Sequence, residues 1–170
     1  MVFPEQVDDF HRVAIRRYDK DGLDISAGYN LMDPRTPVIA TVYVYPAPPL
    51  VSIGSPAYVV ASAREHLCSD EFARRKAEIV NAHPGARLLN EGDFTFPRDG
   101  ESVAGKKATY EFDGLFDGIR LRVSSELYVF CYIANKWAIE YRFTSPSEAP
   151  SHGKIEMFMN DLPWTISASR

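Results

Sequence analysis

A strict alternation of side-chain types from Ile119 to Thr144 constrains this chain more than any other feature of its sequence. From Ile119 to Ile133 the odd positions are apolar except for Ser125, while the even positions carry arginine, glutamate, serine and aromatic residues. Side chains of a strand point to its two faces in turn, so this pattern predicts a long strand with one apolar and one polar-aromatic face. The serine pair at 124–125 is the point where a bulge can be accommodated. A turn at 134–136 and a return strand from Trp137 complete a predicted hairpin.

The rest of the chain alternates in shorter segments around one long helical pattern. Ser55 and Pro56 suit a helix start, and the pattern ends at His83-Pro84-Gly85. A shorter helical pattern runs from Gly153 to Leu162. The further predicted strands are Phe10–Tyr18, Asp24–Leu31, Val38–Tyr45, Arg87–Phe96 and Lys106–Phe112.

This order of elements predicts an α+β fold. We expect an antiparallel β-sheet of about six to seven strands, with one long helix between strands 3 and 4 and a C-terminal helix, arranged as an α-β-α sandwich. The 170 residues are enough for a single domain spanning 1–170 with a substantial core.

Composition argues against two classes of partner. The net charge is −4 and the basic residues are scattered, whereas a protein that binds nucleic acid through phosphate contacts needs a basic stripe. The sequence contains no apolar run near the ~20 residues that span a bilayer.

Met1–Glu5 lacks the basic and apolar regions of a signal peptide, so the chain is expected to be either cytoplasmic or an exported domain without its leader.

No motif indicates a cofactor, a metal or a catalytic centre. The four histidines are far apart and form no HxH or HxxxH pair, and sequences typical of hydrolases, zinc proteases and phosphate-binding loops are absent. Cys68 and Cys131 have no CxxC partner, and we expect both to be free, buried thiols. The prediction is therefore no catalytic residue, no metal ligand and no cofactor, and the balance is against an enzyme.

Aromatic and arginine side chains concentrate on the even face of the predicted hairpin and on the strand from Val38. Such residues are favoured at binding hot spots. A competing interpretation is that a helix covers this face and the arginine heads extend past it to solvent. The candidate binding residues are Arg120, Arg122, Tyr128, Tyr132, Arg142, Tyr43 and Tyr45.

The order of elements, together with several short segments, resembles a known fold. It is similar to that of PsbP, the extrinsic photosystem subunit, and of the Mog-type Ran-binding import factors. The chain also resembles small uncharacterised bacterial proteins that open with Phe-Pro…Phe-x-Arg and contain a Thr-Val-Tyr-Val-Tyr strand. The resemblance implies the fold and a non-catalytic role; it carries over neither Ran binding nor a photosystem role. The matching segments are Phe3–Pro4, Phe10–Arg12, Gly28–Asn30, Thr41–Tyr45, Leu127–Tyr128 and Tyr141–Thr144.

Three functional hypotheses follow. The first is a non-catalytic binding or accessory module that binds a protein through the sheet face or through the loops at Pro46–Ser55 and Gly114–Gly118. The second is a small-ligand binder or enzyme with a pocket between helix and sheet. That pocket would use Arg122, Arg142, Glu126 or Glu140. The third is a homodimer formed through an exposed sheet face or edge.

Overall fold

The alternating segments pair into one antiparallel sheet of eight strands. The computed structural model describes residues 3–51 and 53–164, and the strand order within them is β1-β2-β3-β4-β8-β7-β6-β5. A meander of β1 to β4 and a meander of β5 to β8 therefore meet at the β4–β8 pair in the middle of the sheet. The strands are β1 (Gln6–Val7), β2 (Phe10–Arg17), β3 (Ile25–Leu31), β4 (Val38–Pro46), β5 (Arg87–Arg98), β6 (Glu101–Phe116), β7 (Ile119–Ile133) and β8 (Trp137–Pro146).

The predicted strand count and helix position are wrong. The sheet has eight strands, and the long helix α1 (Ala57–Ala82) follows the fourth strand, not the third. The additional strand is β1, whose two residues pair with Phe10 and His11. Two residues are too few to produce a periodic signal, so this strand is visible only through its pairing. The second helix, α2 (His152–Asp161), is C-terminal as predicted.

Each face of the sheet carries one helix and one apolar core. Phe158 of α2 packs against Tyr29 and Phe143, so the face covered by α2 holds the larger core, which includes Tyr128, Phe130 and Tyr141. Phe72 and Ile79 of α1 pack on the opposite face, against residues of β6 and β7. The α1-side core contains Phe72, Ile79, Ala108, Tyr110, Phe112, Phe116, Val123, Leu127 and Val129.

Helix α1 has a weak apolar face. Its buried residues are Cys68, Glu71, Phe72 and Ile79, and no residue before Cys68 is buried. Ser55 does not cap it: Pro56 precedes the first turn, and no side chain makes a capping hydrogen bond. None of the helices in the described ranges combines the length and the apolar character needed to cross a bilayer.

The two cysteines form a disulfide, which corrects the prediction of free thiols. Cys68 lies on the sheet-facing side of α1, and Cys131 lies on the odd face of β7, beneath that helix. Their Cα atoms are 5.9 Å apart, within the usual range for a disulfide. The two segments are separated by 63 residues of sequence, so the pairing depends on how the helix crosses the sheet.

Candidate functional site

The structure distributes the seven predicted binding residues over five places. Tyr43, Tyr45 and Arg142 lie together beneath the middle of α1, and Tyr128 is buried on the α2 side. The remaining three are separated from these: Tyr132 lies beside the first half of α1, Arg120 lines a cavity near the β6–β7 turn, and Arg122 pairs with carboxylates of β6.

A bulge between β7 and β8 explains this distribution. Ile133 pairs with Trp137, but the register then shifts by one residue, so that Phe130 pairs with Ile139. Tyr132, in the shift, has a φ of 59°. Because the side-chain period is two, a one-residue shift exchanges the faces of every residue beyond it. Arg142 therefore pairs with Leu127, and the even positions of β8 share a face with the odd positions of β7. No register shift occurs at Ser124–Ser125, where the bulge was expected.

Beneath α1, this shift assembles a buried cluster of charges. Glu140 is fully buried, and its carboxylate accepts hydrogen bonds from Arg142 and from the Tyr45 hydroxyl, the latter at 3.4 Å. Its Oε2 also lies 3.3 Å from Nε of Arg75, which comes from the helix. Glu71 and Glu78 of α1 complete the cluster. The Arg–Glu network consists of Glu71, Arg75, Glu78, Glu140 and Arg142.

Within the Arg–Glu network two arginines are shared among three glutamates. Arg75 donates from Nε to Glu71 at 2.7 Å and from a terminal nitrogen to Glu78 at 2.8 Å. Arg142 donates to the other oxygen of Glu78 at 2.5 Å. Burial raises the pKa of Glu140, against the opposing effect of Arg142 and Arg75. Each charged group already has partners of opposite sign, so the network is suited to holding α1 on the sheet.

The other charged residues proposed for a pocket are also paired. Arg122 donates to Asp113 at 2.8 Å and to Glu111 at 3.0 Å. Glu126 accepts from the Tyr128 hydroxyl at 2.6 Å and lies 2.6 Å from a lysine ammonium of β6. The two cavities above 300 Å³ described below are lined by other residues.

The largest of these cavities lies between the first half of α1 and the end of β7. Its volume is about 550 Å³, within the range of ligand pockets, and the disulfide forms part of its wall. A neighbouring cavity of about 200 Å³ is bounded by the proline-rich segment after β4 and the β7–β8 turn. Arg64 and Tyr132 line both cavities, so the two form adjoining parts of one concave surface, the α1–β7 groove. The larger part is lined by Ala57, Val60, Ala61, Arg64, Glu65, Cys68, Cys131 and Tyr132.

Arg64 supplies the main polar group of the α1–β7 groove. A terminal nitrogen donates to the Asn135 side chain at 3.0 Å, and the guanidinium lies 5.1 Å from the centre of the Tyr132 ring. Its Nε is buried and has no acceptor among the described residues. The Tyr132 hydroxyl is occupied, because it donates to the carbonyl of Pro48 at 3.1 Å. An unpaired buried donor costs free energy, so the bond to Asn135 leaves the Arg64 guanidinium incompletely satisfied.

Large apolar side chains are exposed in the segment that leads into this helix. Leu50 lines the smaller part of the groove, and next to it Val51 and Ile53 are 85% and 94% exposed. Tyr58, in the first turn of α1, is 76% exposed. Single exposed apolar residues are common, but several such residues within nine positions beside a concave surface are typical of an interaction site.

A separate cavity of about 420 Å³ lies at the opposite end of α1. Its walls combine polar and apolar side chains, and the His83 ring stacks on Phe112 with 4.1 Å between ring centres. Burial and the nearby Arg142 lower the pKa of His83, which keeps the imidazole neutral near pH 7. Arg120 reaches this cavity and makes no ion pair with any residue that the structure describes. The lining residues are Ile39, His83, Phe112, Asp113, Gly114, Leu115, Arg120, Val123 and Thr144.

A third concave area lies where α1 leaves β2, β3 and β4 uncovered. It has a volume of about 230 Å³, and Tyr18 and Tyr43 stack beside it. Gly28 forms part of its floor and pairs with Ala14, next to a register shift between Arg12 and Ala14 of β2. A glycine within a strand often marks such a bulge.

Sequence reasoning singled out Tyr132 but missed Arg64, Cys68 and Cys131, which also line the groove. Arg64 and Cys68 are four residues apart on one helix face, a spacing that places them together, but nothing in the sequence showed that Cys131 faces them. Across residues 3–51 and 53–164, no three His, Cys, Asp or Glu residues are grouped so as to hold a metal. Compared with models of protein families and with curated proteins, the chain matches none, so its function has to be inferred from the geometry described here.

Proposed function

We propose that this protein is a non-catalytic binding module that holds an extended segment of another protein in the α1–β7 groove. The observation that carries the proposal is the exposed apolar segment, including Val51, Ile53 and Tyr58, beside a groove of about 550 Å³. A small molecule in the groove would leave these side chains in water, whereas a protein partner covers both the groove and the exposed apolar segment. The core of a protein interface is apolar and aromatic in this way.

The polar groups of the groove also suit a peptide. The guanidinium of Arg64 has several donors and one side-chain acceptor among the described residues, Asn135, while each residue of an extended backbone presents a carbonyl. Glu65 and Asn135 add polar groups at the borders of the groove, beside their own bonds to Lys106 and Arg64. A non-catalytic role is supported by the pairing of the buried charges, since Glu140 and Glu71 are already engaged by arginines.

The resemblance to the PsbP and Mog-type fold supports the same proposal, because those proteins act as accessory or binding factors. It does not identify the partner.

The experiment is a selection of linear peptides from a displayed library against the protein with its disulfide intact. The groove variant is Ala61→Glu, which places a carboxylate on the helix wall of the groove. The matched control is Ala73→Glu, the same change at an exposed position of the same helix, away from the groove. Both positions are exposed and glutamate is a good helix former, so the fold should be kept.

We expect peptides selected on the unmodified protein to bind Ala73→Glu equally and Ala61→Glu at least about tenfold more weakly. A tenfold loss corresponds to about 1.4 kcal/mol, the scale of one interface contact. The proposal is wrong if no peptide is enriched, or if the enriched peptides bind both variants alike.

A second candidate function is binding of a small amphipathic carboxylate in the cavity beside His83. The guanidinium of Arg120, which has no ion-pair partner among the described residues, favours it, because arginine recognises carboxylates through paired hydrogen bonds and Ile39, Phe112 and Leu115 supply apolar contacts. The test is thermal unfolding with an aryl-alkanoate series. Stabilisation should disappear in Arg120→Gln and persist in Arg87→Gln, because neither Arg87 nor its partner Glu111 lines the cavity. Equal stabilisation of both variants would reject this function.

Homodimer formation stays a prediction, and sedimentation velocity over a wide concentration range tests it.

A further inference from the structure

The two halves of α1 are attached to the sheet by different means. From Cys68 onward, Phe72 and Ile79 are buried and the Arg–Glu network ties the helix to β8. Before Cys68 there is no buried side chain. In this first part, residues 57–67, Arg64 bonds Asn135 and Glu65 pairs with Lys106 at 2.7 Å, both at the surface. Surface contacts of this kind hold a helix weakly, so the disulfide is the strongest attachment of these turns.

The disulfide is placed where a solvent thiol can reach it. Both cysteines line the α1–β7 groove, and Cys131 is only partly buried. Arg64 lies one helical turn before Cys68 and lines the same cavity. A guanidinium beside a cysteine stabilises its thiolate, and a stabilised thiolate leaves faster in exchange.

We propose that the Cys68–Cys131 disulfide is a target of thiol–disulfide exchange with a dithiol, and that its reduction releases residues 57–67 of α1 from the sheet. One thiolate of the dithiol attacks a cystine sulfur, forms a mixed disulfide and expels the other cysteine as a thiolate. The second thiolate of the dithiol then attacks the dithiol's other sulfur within the mixed disulfide, which forms the disulfide of the oxidised dithiol and expels the remaining cysteine as a thiolate. Two electrons pass from the dithiol to the cystine. The two protons that the dithiol loses are balanced by those the cysteine thiolates take up.

Release follows because these turns are the open end of the helix. Residues 57–67 bury no side chain, and the start of α1 has neither a capping side chain nor an acidic residue in its first turn, so these turns fray once the disulfide is cut. This step depends on the proposed function only in its consequence: these turns form one wall of the groove, so their release removes the peptide site. In an oxidising compartment the disulfide holds these turns on the sheet, and in a reducing cytosol it is reduced and they are released. The sequence is compatible with both locations.

The test is hydrogen exchange of the protein before and after reduction with dithiothreitol in the absence of denaturant. We expect the protection of amides 61–67 to fall at least about tenfold, and that of residues 72–79 and of the central strands to change less than about twofold. The double variant Cys68→Ser/Cys131→Ser should reproduce this pattern without any reductant. Unchanged protection at 61–67, loss of protection throughout the chain, or a disulfide that dithiothreitol reduces only in denaturant would each overturn the proposal.

A rate measurement tests the access route separately. Reduction is quenched with iodoacetamide at intervals and followed by mass. Arg64→Gln should slow it at least about twofold, and Arg74→Gln, on the same helix but outside the groove, should not. Equal rates would overturn the part assigned to Arg64. Hydrogen exchange needs no peptide, so failure of the peptide selection counts against the groove function alone, and unchanged exchange counts against the disulfide attachment alone.

Discussion

The contact between Gly105 and Phe130 allows a quantitative prediction about the sheet. A Cβ added at Gly105 would lie 2.6 Å and 2.8 Å from two ring carbons of Phe130 and 2.8 Å from the carbonyl oxygen of Val129. All three separations are below the van der Waals limit, so Gly105→Ala forces a displacement. The ring cannot rotate away freely, because it packs against Phe96 and Trp164 with centres 6.0 Å and 5.2 Å apart.

We expect Gly105→Ala to lower the free energy of unfolding by about 3 kcal/mol. Overpacking costs typically 1–3 kcal/mol, and this site belongs at the upper end because one of the obstructing atoms is backbone. The matched control is Gly92→Ala on the neighbouring strand, where a Cβ would meet nothing within 4 Å. Alanine restricts the unfolded chain, so the control should be neutral or stabilise by up to about 1 kcal/mol.

The assay is urea unfolding with the disulfide intact, followed by tryptophan fluorescence and far-UV circular dichroism. For a chain of this length, 3 kcal/mol corresponds to about 6–12 °C in the melting temperature. If Gly105→Ala is as stable as Gly92→Ala, the close packing of Phe130 over β6 is wrong, and with it the assignment of Phe130 to the α2 side.

Two further predictions concern the cores on either side of the sheet. Burial raises the pKa of Glu140 above its value of 4.5 in the unfolded chain, so its protonated form is favoured by folding. We therefore compare the free energy of unfolding of the wild type with that of Glu140→Gln. The wild-type value minus the variant value should fall as the pH rises from about 4.5 through the raised pKa of Glu140. Urea unfolding between about pH 4 and pH 8 measures this difference in stability, and a difference that stays constant or increases with pH contradicts the prediction. Phe158 is fully buried, and Phe158→Ala should cost about 3–5 kcal/mol in urea unfolding, whereas Met157→Ala, at an exposed position of the same helix, should cost less than about 1 kcal/mol; similar costs would show that α2 is not docked as described.

Periodicity identified most strands of this fold, but not how their faces combine. The alternation correctly separated the two faces of β7: Leu127 lies on the α1 side and Tyr128 on the α2 side. It could not show that one residue is inserted at Tyr132, because the insertion leaves the alternation within each strand unchanged. This single residue moved Arg142 from the expected even face of the hairpin to the face beneath α1.

The sequence alone could not predict features that depend on contacts between residues far apart in the chain. The disulfide requires Cys68 to lie over Cys131, and that position depends on the angle at which α1 crosses the sheet. Two cysteines far apart in the sequence favoured the prediction of free thiols. That prediction did not consider that the inner face of α1, which carries Cys68, packs on the face of β7 that carries Cys131. In the same way, Glu140 was a candidate for a ligand pocket, whereas the register places it beneath Arg75, where arginines already engage its carboxylate.

The groove exists because α1 lacks a continuous apolar face. A helix with a full apolar stripe settles along its whole length on the sheet, but this one buries only four residues, and one of those is Glu71. Its position is therefore fixed at particular points by a disulfide and by ion pairs. Between Ala57 and Cys68 no buried side chain draws the backbone onto β7, and the unfilled space beneath these turns is the cavity lined by Val60 and Tyr132. The same weakness that makes the first half of the helix depend on a covalent bond thus leaves room for another chain to bind.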